Sequence, residues 1–247
     1  MIGAGAAGDA VMRARKLPTL QVGLHLVLVD GSPVSPVDTI PDLLDREGHF
    51  SPHLVRAGIH FFFSQKVRRQ LEVEIRAQFQ AFQDTGLSLD HVNSHHHVHL
   101  HPTVSGILLK VGQEYGLRAV RLPYESPMAS WRASRKTPLR KIGTFLMLYP
   151  WIGLLMARLR RENIHSNTSV FGMNDSGNMS LDLVLRFLKY LPDGVTEIYS
   201  HPVTSKGGTG SEGRDTQKEL EALTSPEIQR TLLASCIQLI AFSDLEE

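Results

Sequence analysis

The chain of 247 residues holds a single cysteine, Cys236, which excludes an intrachain disulfide framework and a zinc site built from thiolates. Net charge is nearly absent as well. Twenty-six basic residues against 25 acidic ones leave +1 at neutral pH, so no global field points to nucleic acid or another polyanion, and no nucleic-acid partner is expected. The opening residues, Met1 to Ala10, are small but lack a basic segment followed by a long apolar core, so they do not read as a secretory signal. A cytoplasmic location is the expectation. No repeat of fixed period occurs. The glycine-rich run 204–213 lacks the Gly-Lys-Ser/Thr ending of a phosphate-binding loop and reads as a flexible connection or an active-site flap.

Acidic residues are missing from Ser126 to Arg161, where Arg132, Arg135, Lys136, Arg140 and Lys141 precede, and Arg158, Arg160 and Arg161 follow, the sixteen uncharged residues Ile142–Ala157. A bilayer span needs about twenty apolar residues, and Pro150 interrupts this run, so a transmembrane helix is not expected. Three readings stay open for the region 126–165: a buried helix pair, a lid or interfacial element that meets a lipid-like substrate while its cations meet anionic headgroups, and an oligomer interface. Peripheral contact with the inner membrane and a homo-oligomer are expectations of the last two.

What the chain has in excess is histidine. Six of its twelve histidines fall between His91 and His101, in Asp90-His91-Val92-Asn93-Ser94-His95-His96-His97-Val98-His99-Leu100-His101-Pro102. Imidazole is a common neutral metal ligand and the side chain best suited to proton transfer near neutrality. An extended strand would put Asn93, His95, His97, His99 and His101 on one face and His96 on the other.

Around this tract one grammar recurs: amphipathic helix, glycine stop, short β-rich run. Val67, Leu71, Ile75, Phe79 and Phe82 predict a helix stopped by Gly86. A helix over about 103–115 is closed by Gly116 and leads into a strand at Leu117–Arg121. Ser180 caps a helix that presents Leu181, Val184, Leu185, Leu188 and Leu191, followed by a strand over 195–202. A last helix starts at Thr224 or Ser225 with Pro226 and Glu227 in its first turn, before the apolar run 237–242. Helices alternating with strands predict a parallel sheet, most simply a (β/α) barrel in one domain over 1–247. Chemistry in such barrels gathers at the C-terminal strand ends, and four of these carry candidates: His25, the 95–101 histidines, Arg121 and His201. Two histidines and a carboxylate would hold Zn²⁺ or a similar divalent ion, with a neighbouring acid for the leaving group of an amide or ester. Asp30 and Asp90 lie near the motifs, but neither is placed convincingly as that carboxylate.

In this order Gly23-Leu24-His25-Leu26, the tract from Asp90 to His99, and Ser200-His201-Pro202 resemble the YdjC-like carbohydrate deacetylases, which include the chitooligosaccharide deacetylases. The segments 26–31, 170–177 and 191–199 look most like the hopanoid-biosynthesis-associated branch, HpnK. The resemblance implies a distorted TIM-like (β/α) barrel, a divalent cofactor such as Zn or Mg, and removal of acetyl from an N-acetylated amino sugar, with a glycosylated hopanoid lipid as the leading substrate. By position it makes His25 and His95 metal ligands and His201 the catalytic acid; Arg121 and His97 are assigned to substrate. Family members open with a strand ending in Ala-Asp-Asp-Phe-Gly, which has no counterpart here, so the barrel is expected to lack its first β-α unit and to act poorly as written. The competing expectations are a different metal-dependent amidohydrolase and a catalytically degenerate barrel that serves as a binding or scaffold subunit.

Overall fold

The structure is a computed structural model that describes residues 1–204 and 216–246, so the glycine-rich run read as a flap, 204–213, lies outside the described residues apart from Thr204. The elements in chain order are α1 (Ala7–Ala14), β1 (Val22–Leu26), α2 (Leu54–Phe63), α3 (Gln65–Gln83), β2 (Leu89–Ser94), α4 (Pro102–Glu114), α5 (Pro127–Ser134), α6 (Pro138–Arg161), β3 (Ser169–Phe171), α7 (Leu181–Lys189), β4 (Thr196–Ile198), α8 (Thr216–Leu223) and α9 (Pro226–Ala234), with short 3₁₀ turns between some of them. The result is a mixed α/β fold with small parallel sheets. The chain divides into two compact units, 1–121 with 153–166 and 241–247, and 122–152 with 167–240.

In the first unit β1 pairs with β2 in parallel, with His25 opposite Asn93 and Leu26 opposite Ser94. The ladder continues only as isolated parallel bridges, Val92 with Val120 and Ala119 with His165. The strand predicted at 117–121 is therefore reduced to two bridged residues. The helix α3 forms where the period-3.6 stripe requires it, with Val67, Leu71, Ile75, Phe79 and Phe82 all buried, and packs against α4 and β1. Its buried face also carries Gln70, Glu74 and Gln78, spaced by four, which the apolar stripe does not reveal. Gln78 brackets Val27, accepting from its N–H at 3.0 Å and donating to its carbonyl at 2.6 Å. Glu74 accepts from the Val34 and Ser35 N–H groups at 2.9 Å each. The segment between these anchors pairs its backbone through the Gly31–Phe50 bridge and the Asp30 N–H bond to the Ser51 carbonyl, and α3 side chains satisfy other backbone groups that a sheet would otherwise pair. Asp30 lies on that segment.

In the second unit β3 and β4 pair in parallel, with Val170 opposite Glu197, and the Val170 N–H donates to the Tyr124 carbonyl. A core of Ala133, Phe171, Met179, Leu183, Val184, Phe187 and Ala222 lies under α5, α7 and α8. The buried face of α7 is Leu183, Val184 and Phe187, with Phe187 stacked on Phe171 at 4.2 Å; of the predicted stripe, Val184 is buried, Leu181 and Leu191 pack partly buried against the same core, and Leu185 and Leu188 are only half-buried. Ser225 caps α9 as its sequence requires, accepting from the Glu227 N–H. The run 237–242 is not a strand: 237–241 has no regular structure. Regular strand pairing among the described residues is confined to β1–β2 and β3–β4, so the TIM-like barrel expected from the helix-strand rhythm is not formed as a closed ladder.

The uncharged run 142–157 is also not a buried helix pair. It lies within one helix, α6, that continues through Pro150. Proline cannot donate to the carbonyl four residues back, but Leu146 and Pro150 both sit on the exposed side, where water satisfies that group.

Candidate metal centre

The histidine tract leaves the strand at Ser94. Residues His95–Leu100 form a 3₁₀ turn with His96 and His97 in the left-handed region, at φ of 51° and 53°, so the single-face arrangement of an extended strand does not arise. Asp30 is left-handed too, at φ 50°. Such backbone costs about 1–3 kcal/mol per residue and concentrates at functional sites. The consequence here is concrete. The turn brings His96, expected on the far face, alongside His95 with ring centroids 4.1 Å apart. His95 Nε2 and His96 Nε2 then lie 3.8 Å and 3.2 Å from Asp30 Oδ2. One ligand atom from each of Asp30, His95 and His96 falls within 4.8 Å of the other two. Two imidazoles and a carboxylate are a donor set that suits a divalent ion.

His25 stands beside this cluster, its ring 5.7 Å from that of His95 and edge-on to it. Its protonation follows from a chain of hydrogen bonds with only one consistent polarity. Asp90, buried, accepts through Oδ1 from the Ser243 N–H at 3.0 Å and through Oδ2 from His91 Nδ1 at 2.8 Å. His91 in its neutral form then offers Nε2 as acceptor to Asn93 Nδ2 at 3.2 Å. Asn93 consequently turns Oδ1 to His25 Nδ1 at 2.6 Å, so Nδ1 carries the proton and the lone pair of His25 is on Nε2. This is the carboxyl- or carbonyl-anchored imidazole arrangement that fixes a metal-ligating tautomer. Strand register explains it. Gly23 and His25 on β1 face His91 and Asn93 on β2, and a Cβ at position 23 would meet the His91 ring at 2.6 Å, so only glycine lets that ring lie flat across β1. Burial, the largest influence, pushes the His25 pKa down to about 4 despite the Asn93 bond, with the Arg121 charge adding to the shift.

The other tract histidines have separate work. His99 is fully buried; Nε2 donates to the Arg121 carbonyl at 3.0 Å and Nδ1 accepts from Ser94 Oγ at 2.5 Å. Burial lowers its pKa to about 3, which keeps it a neutral brace between the tract and residue 121. His101 caps α4, accepting from the Thr103 N–H. The His97 ring lies 6.1 Å from that of His99, and burial holds it well below the usual imidazole range.

Arg121 is buried in the same unit, its charge felt by His25, His97 and His99. The first unit therefore gathers His25, His95, His97 and Arg121. His201 belongs to the second unit, where its Nδ1 is 2.9 Å from Ser176 Oγ and its N–H donates to the buried Glu219 at 2.5 Å. Sequence reasoning missed His96 as a donor and undervalued Asp30. Their shared signal is backbone conformation, which periodicity does not encode.

The chain has recognisable relatives. A carbohydrate deacetylase of Brevibacillus brevis is 33% identical over 245 residues, covering 96% of this chain and 82% of that protein. The mouse carbohydrate deacetylase is 29% identical over 267 residues, covering 98% and 83%. The crystal structure of a protein described as a cellobiose-phosphate cleavage protein of Enterococcus faecalis superposes with a TM-score of 0.72 over 99% of this chain and 85% of its own, at 22% identity, a likeness of fold. The YdjC-like protein family matches residues 1–234, and the chain belongs to that family.

Proposed function

We propose that this chain is a metal-dependent N-deacetylase that removes acetyl from an N-acetylated amino sugar, with a glycolipid such as a glycosylated hopanoid as its substrate. The activity of the relatives, carbohydrate deacetylation, supports the reaction class. The observation that carries it is the convergence of Asp30, His95 and His96 beside a tautomer-fixed His25. When bound, a divalent ion such as Zn²⁺ or Mg²⁺ would supply Lewis acidity toward an amide carbonyl and a water molecule.

The chain's own residues supply the rest. Asp30, His95 and His96 present the clustered donors. His25 presents Nε2 without needing to lose a proton at neutral pH, so it joins them as a ligand rather than acting as a base. Arg121 and His97, in the same unit, are assigned to the polar groups of the sugar. Amide cleavage also needs a proton at the leaving nitrogen. His201, whose Nδ1 is engaged by Ser176, is assigned to deliver it from Nε2.

Acetate release from diacetylchitobiose and from an N-acetylglucosaminyl lipid tests the reading. The expected result is turnover that chelation abolishes and added metal restores, with kcat/KM higher for the lipid-linked sugar. Metal binding without acetate release from either would overturn it in favour of a non-catalytic binding subunit.

A further inference from the structure

The exposed face of α6 is the largest feature that the deacetylase reading leaves unused. The helix is 24 residues long, with a mean hydropathy of 1.5 over its most apolar 18-residue window, which by length and composition is enough to cross a membrane. Its packing argues for a different placement. Lys141, Ile152, Leu155 and Leu159 lie on one side at 100° per residue, and all four are buried. Lys141 Nζ is held at 2.5 Å from Asp175 and 2.6 Å from Ser130 Oγ, an internal ion pair. A helix tied to protein in this way along one side does not span a bilayer on its own.

The remaining arc, roughly 200° wide by helical geometry, is apolar and open. Leu139, Ile142, Leu146 and Tyr149 form one stripe, at 83%, 45%, 65% and 50% exposure, and Met147, Trp151 and Leu154 form another. Exposed Arg132, Arg135, Lys136 and Arg140 lie at its N-terminal end, and Arg160 and Arg161 at its C-terminal end, Arg161 being paired with Glu162 just beyond the helix, with no acidic residue from 126 to 161. A second copy laid on this face would bring cations against cations in either orientation. An anionic lipid surface complements both features at once: apolar side chains enter the acyl boundary and the cations meet the headgroups.

We propose that α6 docks the protein on anionic bilayers, lying in the plane of the interface. Docking is independent of turnover, so its failure and failure of the deacetylase reading are separate results. Flotation of the full chain with vesicles of phosphatidylcholine, with and without phosphatidylglycerol, reads it directly. Binding is expected only with the anionic lipid and should fall as salt is raised. It should weaken by about fivefold for each of Arg132→Gln, Arg135→Gln and Lys136→Gln, and on the order of tenfold for Leu146→Glu. These side chains are exposed, so thermal melts should stay at the wild-type midpoint. Equal binding to neutral vesicles, no binding to anionic ones, or a lipid-free dimer in light scattering that Leu146→Glu dissolves would each overturn the proposal.

Discussion

Cutting the hydrogen-bond chain behind His25 at Asn93 has two separable consequences. Asn93 is buried, accepts from His25 Nδ1 at 2.6 Å and donates to His91 Nε2 at 3.2 Å. Asn93→Leu removes both bonds and strands two ring nitrogens in a dry strand pair. Each lost bond is worth about 1 kcal/mol net, and a buried partner left unsatisfied costs about 1–3 kcal/mol. A total of about 3 kcal/mol follows, which for a chain of this size lowers Tm by roughly 6–12 °C. The functional effect is of a different kind. Without the carbonyl acceptor, His25 loses the preference that puts its lone pair on Nε2, and metal affinity is expected to fall about 10–100-fold. Asn93→Asp separates the two effects. The introduced carboxylate still accepts from His25 Nδ1 and preserves that tautomer, while the donor to His91 Nε2 is lost. Zinc titration by calorimetry, with imidazole nitrogen NMR for the His25 tautomer, checks both variants. Wild-type affinity in the leucine variant, or an Nε2-protonated His25 in the wild type, would refute the relay.

Burial lowers the folded-state pKa of His25, His97 and His99, so the unfolded chain binds protons that the folded one does not. Stability of the metal-free protein is therefore full above about pH 6.5 and is lost as pH falls from there toward about 4 for His25 and about 3 for His99, by up to about 4 kcal/mol between pH 7.5 and 5.5 for three such groups; urea midpoints across that window measure it, and a flat profile would contradict the burial argument. Lys141→Ala leaves Asp175 and Glu125 without their buried cation and should destabilise the fold by about 3–5 kcal/mol, read as a drop in the denaturant midpoint. For His201→Asn, kcat should fall about 10²–10⁴-fold if His201 protonates the leaving nitrogen, with metal content unchanged; an unaltered kcat would remove it from the reaction.

The parts of this molecule written in side-chain periodicity were legible from sequence, and the parts set by backbone exceptions were not. The stripe from Val67 to Phe82 and its Gly86 stop give α3 directly, and the strand expected to end at His25 is β1, which runs one residue past it to Leu26. The family motifs single out His25 and His95, whose rings lie 5.7 Å apart. What escaped was the left-handed turn at His96 and His97, which takes the tract out of the strand after Ser94 and sets His96, rather than His97, His99 or His101, beside His95. Asp30 escaped for a related reason: its segment is held by non-local bonds, from Gln78 and Glu74 of α3 to Val27 and Val34 and between Asp30, Gly31 and the backbone of Ser51 and Phe50, which no local pattern describes. Pro150 misled in the opposite direction, because its breaker role is suspended where the freed carbonyl faces water.

His96 is the residue on which the structural account and the strand reading disagree most sharply, so His96→Ala is the most direct test of the Asp30–His95–His96 centre. Bound zinc per chain and acetate release would be measured together on the same preparation, with His101→Ala, a helix cap, as the control. His96→Ala should lose metal affinity by at least about 10–100-fold, the range for weakening a supported site, and lose turnover with it, while the control keeps both. Wild-type metal content and turnover in His96→Ala would contradict that centre and return the site to His25 and His95 alone.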